Sequence, residues 1–484
     1  MDISDRQKGC SGYLDALSAH SSEKSEVVQY PDAMRAGRLL EVGPGGGAAL
    51  KEMIDFVVAE YPPSERPEVV VFDIVAEVLD RVREVVGDPE LTVSYVSGDA
   101  SASLPFQDGV FSAINVSSIV HECFSYGGGF DGIDQLAKEC GRIMQTDGVL
   151  IYRDPEGIEL DKPVEMTLET PLAIGFFSFF VPKFLDEQFT RIDTKPTSNY
   201  ANLVTILADG EPVSFSDLAS GRASLTEATV VSLSGPAGFI HELQRHFLVF
   251  IKEVCPESYE GNETCLPKLT SELHGMVSLS VSDSSKAAIR DFLDENDLFY
   301  LDSDSEIYMM PATLSLCIED INELLSIHGE EVQLSPLITK SIAWARKDGE
   351  EFYFYGTAED VIARFAHASL TPDDASILGH SVLCPITPAH TRVVRREKYR
   401  AFGSKHLTRS DRMVVEEKRH IHFAKMPLEK AFPVVLEMFH ASQNPRLREL
   451  LGRFTALLKD YMQKDELPAQ LSVLVSDKAL QAIA

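Results

Sequence analysis

A chain of 484 residues is too long for one hydrophobic core, so two or three domains are expected. With 44% apolar and 25% charged residues it reads as an ordinary globular protein, and no run of about 18 apolar residues marks a membrane span. A formal charge of −31 leaves no general footprint for nucleic acid.

In chain order, residues 1–34 are expected to form a helical lead-in. The opening Met1-Asp2-Ile3-Ser4-Asp5 is acidic at once and lacks the basic-then-apolar order of a secretory leader. Seven cysteines lie scattered, odd in number and without a C-x-x-C pair. Neither a disulfide framework nor a structural zinc site is expected, and the chain is assigned to a reducing cytoplasm. From about residue 38 to 155 strand and helix alternate, the mark of a parallel α/β sheet. Predicted strands are Arg38–Val42, Val69–Asp73, Thr92–Ser97, Phe111–Val116 and Gly148–Arg153. Helices are predicted at Ala48–Glu60, Ile74–Val86 and Asp131–Met144, with a Thr146-Asp147-Gly148 turn before the fifth strand.

After Asp154-Pro155 the rhythm changes. Residues 156–285 read as an insertion or substrate lid, with an aromatic patch (Phe176 to Phe184) and an amphipathic helix at Gly238–Val254. Residues 286–325 are expected to supply the last strands of the same sheet, in the runs Leu298–Leu301 and Glu306–Cys317. Residues 326–484 read as a C-terminal α+β domain of unrecognised type. In it Phe352-Tyr353-Phe354-Tyr355-Gly356 looks like a strand ending in a turn, with helices near Ala358–His367, Leu428–His440 and Arg446–Gln463. Between Thr391 and Lys425, eleven Lys and Arg stand against four Asp and Glu. That excess suits a solvated face, or the docking of an acidic or phosphate-bearing partner.

The stretch Leu39-Leu40-Glu41-Val42-Gly43-Pro44-Gly45-Gly46-Gly47-Ala48 is the most informative. A short strand, a glycine-dense turn and a helix let backbone approach a nucleotide-like ligand closely, because glycine has no Cβ and tolerates positive φ. Gly43-x-Gly45-x-x-Ala48 also satisfies the dinucleotide fingerprint, so the glycines alone leave NAD open. Four further features bear on the choice between NAD and a methionine-type ligand, the second of them shared with NAD sites. Glu41, two residues before the first glycine, can reach the amino group of a methionine-type ligand and would repel a pyrophosphate. Asp73, ending the second strand, can accept both ribose hydroxyls. Asp99 and Ala100, after the third strand, can hold an adenine. Asn115 ends the fourth strand, beside the place of a reactive sulfonium.

With these residues in this order, the segment over about 35–155 resembles the class I S-adenosylmethionine-dependent methyltransferases. The resemblance rests on Glu41 to Gly47, Asp73, Gly98-Asp99-Ala100, Phe111 to Asn115 and Asp147 to Ile151. It implies a Rossmann-like, doubly wound, mostly parallel sheet and S-adenosylmethionine as cofactor. Gly43, Gly45 and Gly47 would line its methionine portion, Asp73 the ribose and Asp99 the adenine. One departure is the segment Ser117 to Tyr126, which lacks the Asn/Asp-Pro-Pro-Tyr motif of enzymes that methylate nucleic-acid bases. Nucleic acid is therefore not expected as substrate. No acid cluster marks a metal-dependent site either.

Methyl transfer is an in-line displacement, so an enzyme contributes alignment and, where the nucleophile must lose a proton, a base. His121 and Glu122, just past the fourth strand, are the candidate base and its neighbour; packing at a helix start is the rival role for His121. Tyr126 can close over the cofactor or simply pack, and Arg153 can bind a substrate carboxylate or pair with a nearby acid. On the predicted lid helix, which also carries His241, Arg245 or His246 can reach a substrate pocket, or the helix is a solvated face with one buried stripe. His420-Ile421-His422 puts two imidazoles on one strand face without a visible third ligand. The reading is a methyltransferase of a small molecule, with no membrane partner and a homodimer as a compatible assembly. The rivals are aminocarboxypropyl transfer or cyclisation with the same cofactor, and an idle cofactor-binding scaffold.

Overall fold

Strands apolar on both faces are stable only when covered from both sides, and β1 (Arg38–Val42), which follows short helical turns at Glu26–Gln29 and Pro31–Met34, is of this kind. The computed structural model describes residues 25–35, 37–157, 163–168, 170–187, 204–214, 217, 230–256, 272–273, 275–296, 298–304, 306–349, 351–353, 355–373, 376–377, 379–396 and 416–462. Most of the expected lead-in, residues 1–24, lies outside them. After β1 come α1 (Ala48–Glu60), β2 (Glu68–Asp73), α2 (Ala76–Val86), β3 (Val93–Ser97) and β4 (Phe111–Ser117). Then follow α3 (Val120–Tyr126), α4 (Phe130–Ile143) and β5 (Met144–Pro155).

The chain next builds β6 (Pro163–Leu168), α5 (Pro171–Glu187), β7 (Thr205–Ala208), β8 (Glu211–Pro212), β9 (Val231–Pro236) and α6 (Ala237–Val254). β10 (Val277–Ser280), α7 (Asp283–Glu295), β11 (Leu301–Asp302), β12 (Glu306–Met309), α8 (Pro311–Ser326) and α9 (Pro336–Lys347) complete that part. It then forms α10 (Ala358–Ala368), β13 (Thr371–Pro372), β14 (His380–Pro385), β15 (Thr391–Arg396), β16 (Glu416–Pro427), α11 (Leu428–Ser442) and α12 (Pro445–Met462).

Two units result. The described residues up to Gly157, those of Tyr355–Val394 and those from Glu417 onward form the first; the described residues between form the second. The first unit holds one mixed sheet of order β13-β14-β16-β5-β4-β1-β2-β3, with β15 paired to β16. Its β3-β2-β1-β4-β5 half is parallel, whereas β16 runs antiparallel to both β5 and β14. This is the expected α/β, Rossmann-like architecture. Leu50, Met53, Ile54 and Val57 of α1 pack with Val78, Leu79 and Val82 of α2 on Leu39, Val69, Val71, Ala113 and Ile151 of the sheet. Each fully buried aliphatic side chain there contributes about 1.5–3 kcal/mol.

The second unit holds two antiparallel sheets, β6-β9-β7-β8 and β10-β12-β11. The expectation that residues 286–325 finish the core sheet is thus corrected. Among the described residues of 298–317 only β11 and β12 are strands; they pair in the separate three-stranded sheet, and from Pro311, at the first helical position, the chain is α8. The core sheet is completed by β13, β14, β15 and β16, from Thr371 onward. A separate domain over 326–484 is not found either, because α9 belongs to the second unit and α10, β13, β14, α11 and α12 to the first. Phe352, Tyr353 and Tyr355 are buried loop residues and not a strand. The turn expected at Thr146-Asp147-Gly148 is a bulge inside β5: Asp147 has φ 61°, and the register with β4 jumps from Phe111–Met144 to Ala113–Val149. Among the described residues no helix is long and apolar enough to cross a membrane.

Candidate active site at the carboxyl edge of the parallel strands

Strand alternation sorts the candidate residues before any ligand is considered. Glu41, Asp73, Asn115 and Arg153 share the sheet face covered by α1 and α2, since their registers align with Leu39, Val71 and Ile151. Asp154 takes the opposite face. All these residues lie at or near the carboxyl ends of their strands, where open α/β sheets bind ligands.

The glycine turn follows β1 directly. Gly43, Gly45 and Gly47 have φ of 66°, 57° and 81°, a region that favours glycine. The Gly43 amide donates to the Phe72 carbonyl at 2.9 Å, and a Cβ at Gly43 would approach Ile119 Cδ1 to 2.9 Å. The turn is therefore a cradle of bare backbone. Beneath it Asn115 Nδ2 donates to Glu41 Oε2 at 2.8 Å, and both side chains are buried. That bond fixes the Glu41 carboxylate at the end of β1.

Asp73 accepts from the Val75 amide at 2.9 Å. Burial raises its carboxyl to about 6 in spite of hydrogen bonds from the Val75 and Ile74 amides. Asp99 is exposed and accepts from the Ser101 amide at 2.7 Å, while Ala100 is buried beside it. Thus Glu41, the glycines, Asp73 and Asp99 follow the carboxyl ends of β1, β2 and β3 in the sheet's own order.

Ser118, immediately after β4, is one of the few non-glycine residues with positive φ (59°); its amide donates to the Arg153 carbonyl at 2.7 Å. Backbone strain of this kind clusters at functional edges. Arg153 is buried and its Nη1 donates to Ser118 Oγ at 3.1 Å.

On the other face, α3 brings His121 against Asp154. His121 Nδ1 and Asp154 Oδ1 are 2.7 Å apart, and the His121 amide donates to Asp154 Oδ2 at 2.8 Å. Tyr355 Oη donates to the same Oδ2 at 2.6 Å. Asp154 is fully buried, which alone would raise its carboxyl, but the charge and hydrogen bond of His121 hold it below the ordinary range. Glu122 and Tyr126 are half-buried on the same short helix. The structure therefore joins His121 to a carboxylate that the sequence left beside Arg153. Strand alternation was an available signal for that separation. Nothing in the sequence pointed to Tyr355, 201 residues farther on.

Of the other candidates, His246, His420 and His422 are buried, whereas His241 and Arg245 are half-buried, Arg245 lying over the Tyr353 ring at 4.9 Å. His246 and Glu242 are fully buried in the second unit, where His246 Nε2 lies 2.9 Å from the Glu351 carbonyl and Glu242 accepts from the Tyr353 amide at 2.8 Å. Burial lowers His246 to about 3 and His241 to about 4. His420 and His422 do share a strand face, and they turn to one carboxylate: Glu26 Oε2 lies 3.2 Å from His420 Nδ1 and 2.7 Å from His422 Nε2. Tyr30 Oη is 2.6 Å from His422 Nδ1, and Arg392 pairs with Glu26 Oε1. Among the described residues no group of three His, Cys, Asp or Glu is placed to hold a metal. The five described cysteines are buried free thiols. Residues 397–415, central to the basic stretch, lie outside the described residues.

Residues 40–152, about a quarter of the chain, match a family model described as a methyltransferase domain. No curated protein matches the chain in sequence. Among solved structures, the chain is similar to the CurJ carbon methyltransferase at 16% identity and a TM-score of 0.24, over 28% of this chain and 35% of that one. It is similar to the glycopeptide N-methyltransferase MtfA, complexed with sinefungin, at 19% identity and 0.23, over 31% and 61%. A SAM-dependent methyltransferase from Aquifex aeolicus is similar at 15% identity and 0.24, over 46% of this chain and 97% of that one. The chain thus spans about a third of the first structure's length and about three fifths of the second's.

Proposed function

We propose that the methyltransferase domain of this chain, a Rossmann-like S-adenosylmethionine-dependent transferase, methylates a small molecule with His121 as general base. The observation that carries the reading is the His121–Asp154 pair standing at the same sheet edge as the Glu41–Asn115 pair and the bare glycine turn. In the cofactor site the residues present fit the group: Gly43 leaves the space a Cβ would fill, Asp73 offers a carboxylate at the end of β2, and Asp99 follows β3. Bound S-adenosylmethionine supplies an electrophilic methyl group on a sulfonium.

The chain's own residues do the rest. Glu41, held by Asn115, receives the amino group of the methionine portion. Asp73 accepts the ribose hydroxyls, and Asp99 with the buried Ala100 fixes the base. His121 donates through Nδ1 to Asp154, which makes Nε2 the basic nitrogen and stabilises the imidazolium once a proton is taken. Arg153, on the opposite face and tied to Ser118, supports the backbone that ends β4; it is not assigned to the base. Glu122 and Tyr126 extend the acceptor side of α3. We assign the substrate to a small molecule because the segment after β4 carries no base-methylating motif and the chain is acidic. The free thiols fit a reducing compartment.

Calorimetry with S-adenosylmethionine and S-adenosylhomocysteine tests cofactor binding; absence of binding sinks the reading. Product analysis with a metabolite extract tests the reaction. S-adenosylhomocysteine supports methyl transfer, methylthioadenosine means aminocarboxypropyl transfer or cyclisation instead, and binding without turnover means an idle scaffold.

A further inference from the structure

A buried chain of hydrogen bonds continues from Asp154 away from His121. Tyr355 Oη donates to Asp154 Oδ2 at 2.6 Å, Tyr152 Oη is bonded to Tyr355 Oη, and Arg419 Nε donates to Tyr152 Oη at 3.0 Å. Arg419 also donates to the Gly356 carbonyl and lies 3.8 Å from Glu156. All of these residues belong to the first unit. Tyr152, Asp154, Tyr355 and Arg419 are all buried.

We infer that Tyr355, Tyr152 and Arg419 are positioning residues that hold Asp154 ionised and thereby decide which nitrogen of His121 carries the proton. This rests on the reading of His121 as base. The direction of the chain follows from donor inventory. A guanidinium only donates and an ionised carboxylate only accepts. The Tyr152 oxygen accepts from Arg419 Nε–H, and its own hydrogen goes to the Tyr355 oxygen, whose hydrogen is needed by the carboxylate. The Tyr355 hydroxyl must then donate to Asp154. Burial pushes both phenols well up, so both remain donors near neutrality. Arg419, the fixed charge, sets the polarity of every bond between it and His121. Asp154 Oδ1 is left to accept from His121 Nδ1.

Packing and hydrogen bonding separate cleanly at Tyr355. Its ring is stacked on Phe124, with centroids 5.6 Å apart, and the Arg419 guanidinium lies over it at 4.5 Å. Tyr355→Phe keeps both contacts and removes one O–H. Around the pair stand Glu122 and Cys123 of α3, Lys418 and Arg419 of β16, and Tyr355 itself. None but Tyr355 changes in this variant.

The test is histidine-labelled NMR on the full chain, with the His121 ring assigned by its loss in His121→Gln. In the wild type the neutral ring should be the Nδ1–H tautomer. Removing a donor concentrates negative charge on Asp154. Tyr355→Phe should therefore raise the apparent pKa read at His121 by about half a unit to one unit. Tyr152→Phe, which cuts the chain one bond earlier, should shift it the same way by less. Thermal melting and S-adenosylmethionine affinity report folding of each variant. An unchanged or lowered His121 titration, with the same tautomer, in either folded variant overturns the inference. Cofactor binding and product formation are read separately on the wild type, so that outcome is distinct from failure of the methyltransferase reading.

Discussion

Asp73→Asn removes a charge from the ribose side of the site while keeping the size of the side chain. Asp73 ends β2, half-buried, and burial lifts its carboxyl to about 6. Hydrogen bonds to a charged group contribute about 1.5–3 kcal/mol each. The substitution leaves a weaker neutral acceptor, so a loss of about 3 kcal/mol, roughly a hundredfold in Kd for S-adenosylmethionine, is expected. Protonation removes the same charge. Because the free-site carboxyl titrates at about 6, acidification from pH 7.5 to 5 takes it from almost wholly ionised to about a tenth ionised. The cofactor then competes with a proton, and wild-type Kd should rise roughly tenfold across that interval. In Asp73→Asn the curve should be much flatter. Calorimetry at pH 7.5, 6 and 5 reads both effects. A wild-type Kd constant to within about twofold, or the full tenfold slope retained in Asp73→Asn, refutes the role given to Asp73.

Gly43→Ala should cost about 1–2 kcal/mol through positive φ and weaken cofactor binding as well, because its Cβ crowds Ile119. Gly87→Ala has φ 73° and nothing within 4 Å of its Cβ, so melting and calorimetry should show strain there without loss of affinity. Burial lowers His246 to about 3, so the unfolded chain binds more protons. The stability this gives is full above about pH 6.5 and lost as pH falls toward 3; going from pH 7.5 to 5.5 should cost the second unit about 1.4 kcal/mol through His246 and about as much again through His241, which burial lowers to about 4. The single tryptophan, Trp344, is buried with its ring centroid 6.0 Å from His246, so its fluorescence in urea melts reads this unit. A midpoint unchanged or higher at pH 5.5 contradicts the assignment. Glu26→Gln should loosen residues 25–34. Burial opposes the Glu26 charge, but His420, His422 and Arg392 outweigh it and hold the carboxyl at about 2. Taking away one partner of such a buried pair costs about 3 kcal/mol, and hydrogen exchange in that segment should quicken. Equal protection in both proteins would mean that the cluster does not anchor it.

Legibility along the chain followed the range of the interactions. The alternation over 38–155 gave β1 and α1 to the residue, because local propensity, the glycine turn and apolar periodicity agree there. Glu41, Asp73, Asp99 and Asn115 were legible for the same reason: each is a fixed short step from a strand end. The strand runs after 298 misled because four apolar residues before Pro311 carry no mark of their partner. They joined β10, whereas β16, with Ile421 and Phe423 fully buried against β5, took the place beside the parallel strands. His246 read as a pocket candidate because its helix is amphipathic, yet Phe180, Trp344 and Tyr353 enclose it.

By itself the sequence determined the cofactor side: a strand, a turn with φ values only glycine adopts readily, and acids at successive strand ends. These are local choices, fixed by backbone sterics and by the two-residue period of a strand. Only the tertiary structure decided the base side. His121, Asp154, Tyr355, Tyr152 and Arg419 meet because β16 returns antiparallel to β5 and the chain re-enters the unit at Tyr355. Contacts between residues hundreds of positions apart leave no period or spacing in one sequence. They arise when burial forces each polar group to find a partner, and the partner is chosen by the packed sheet.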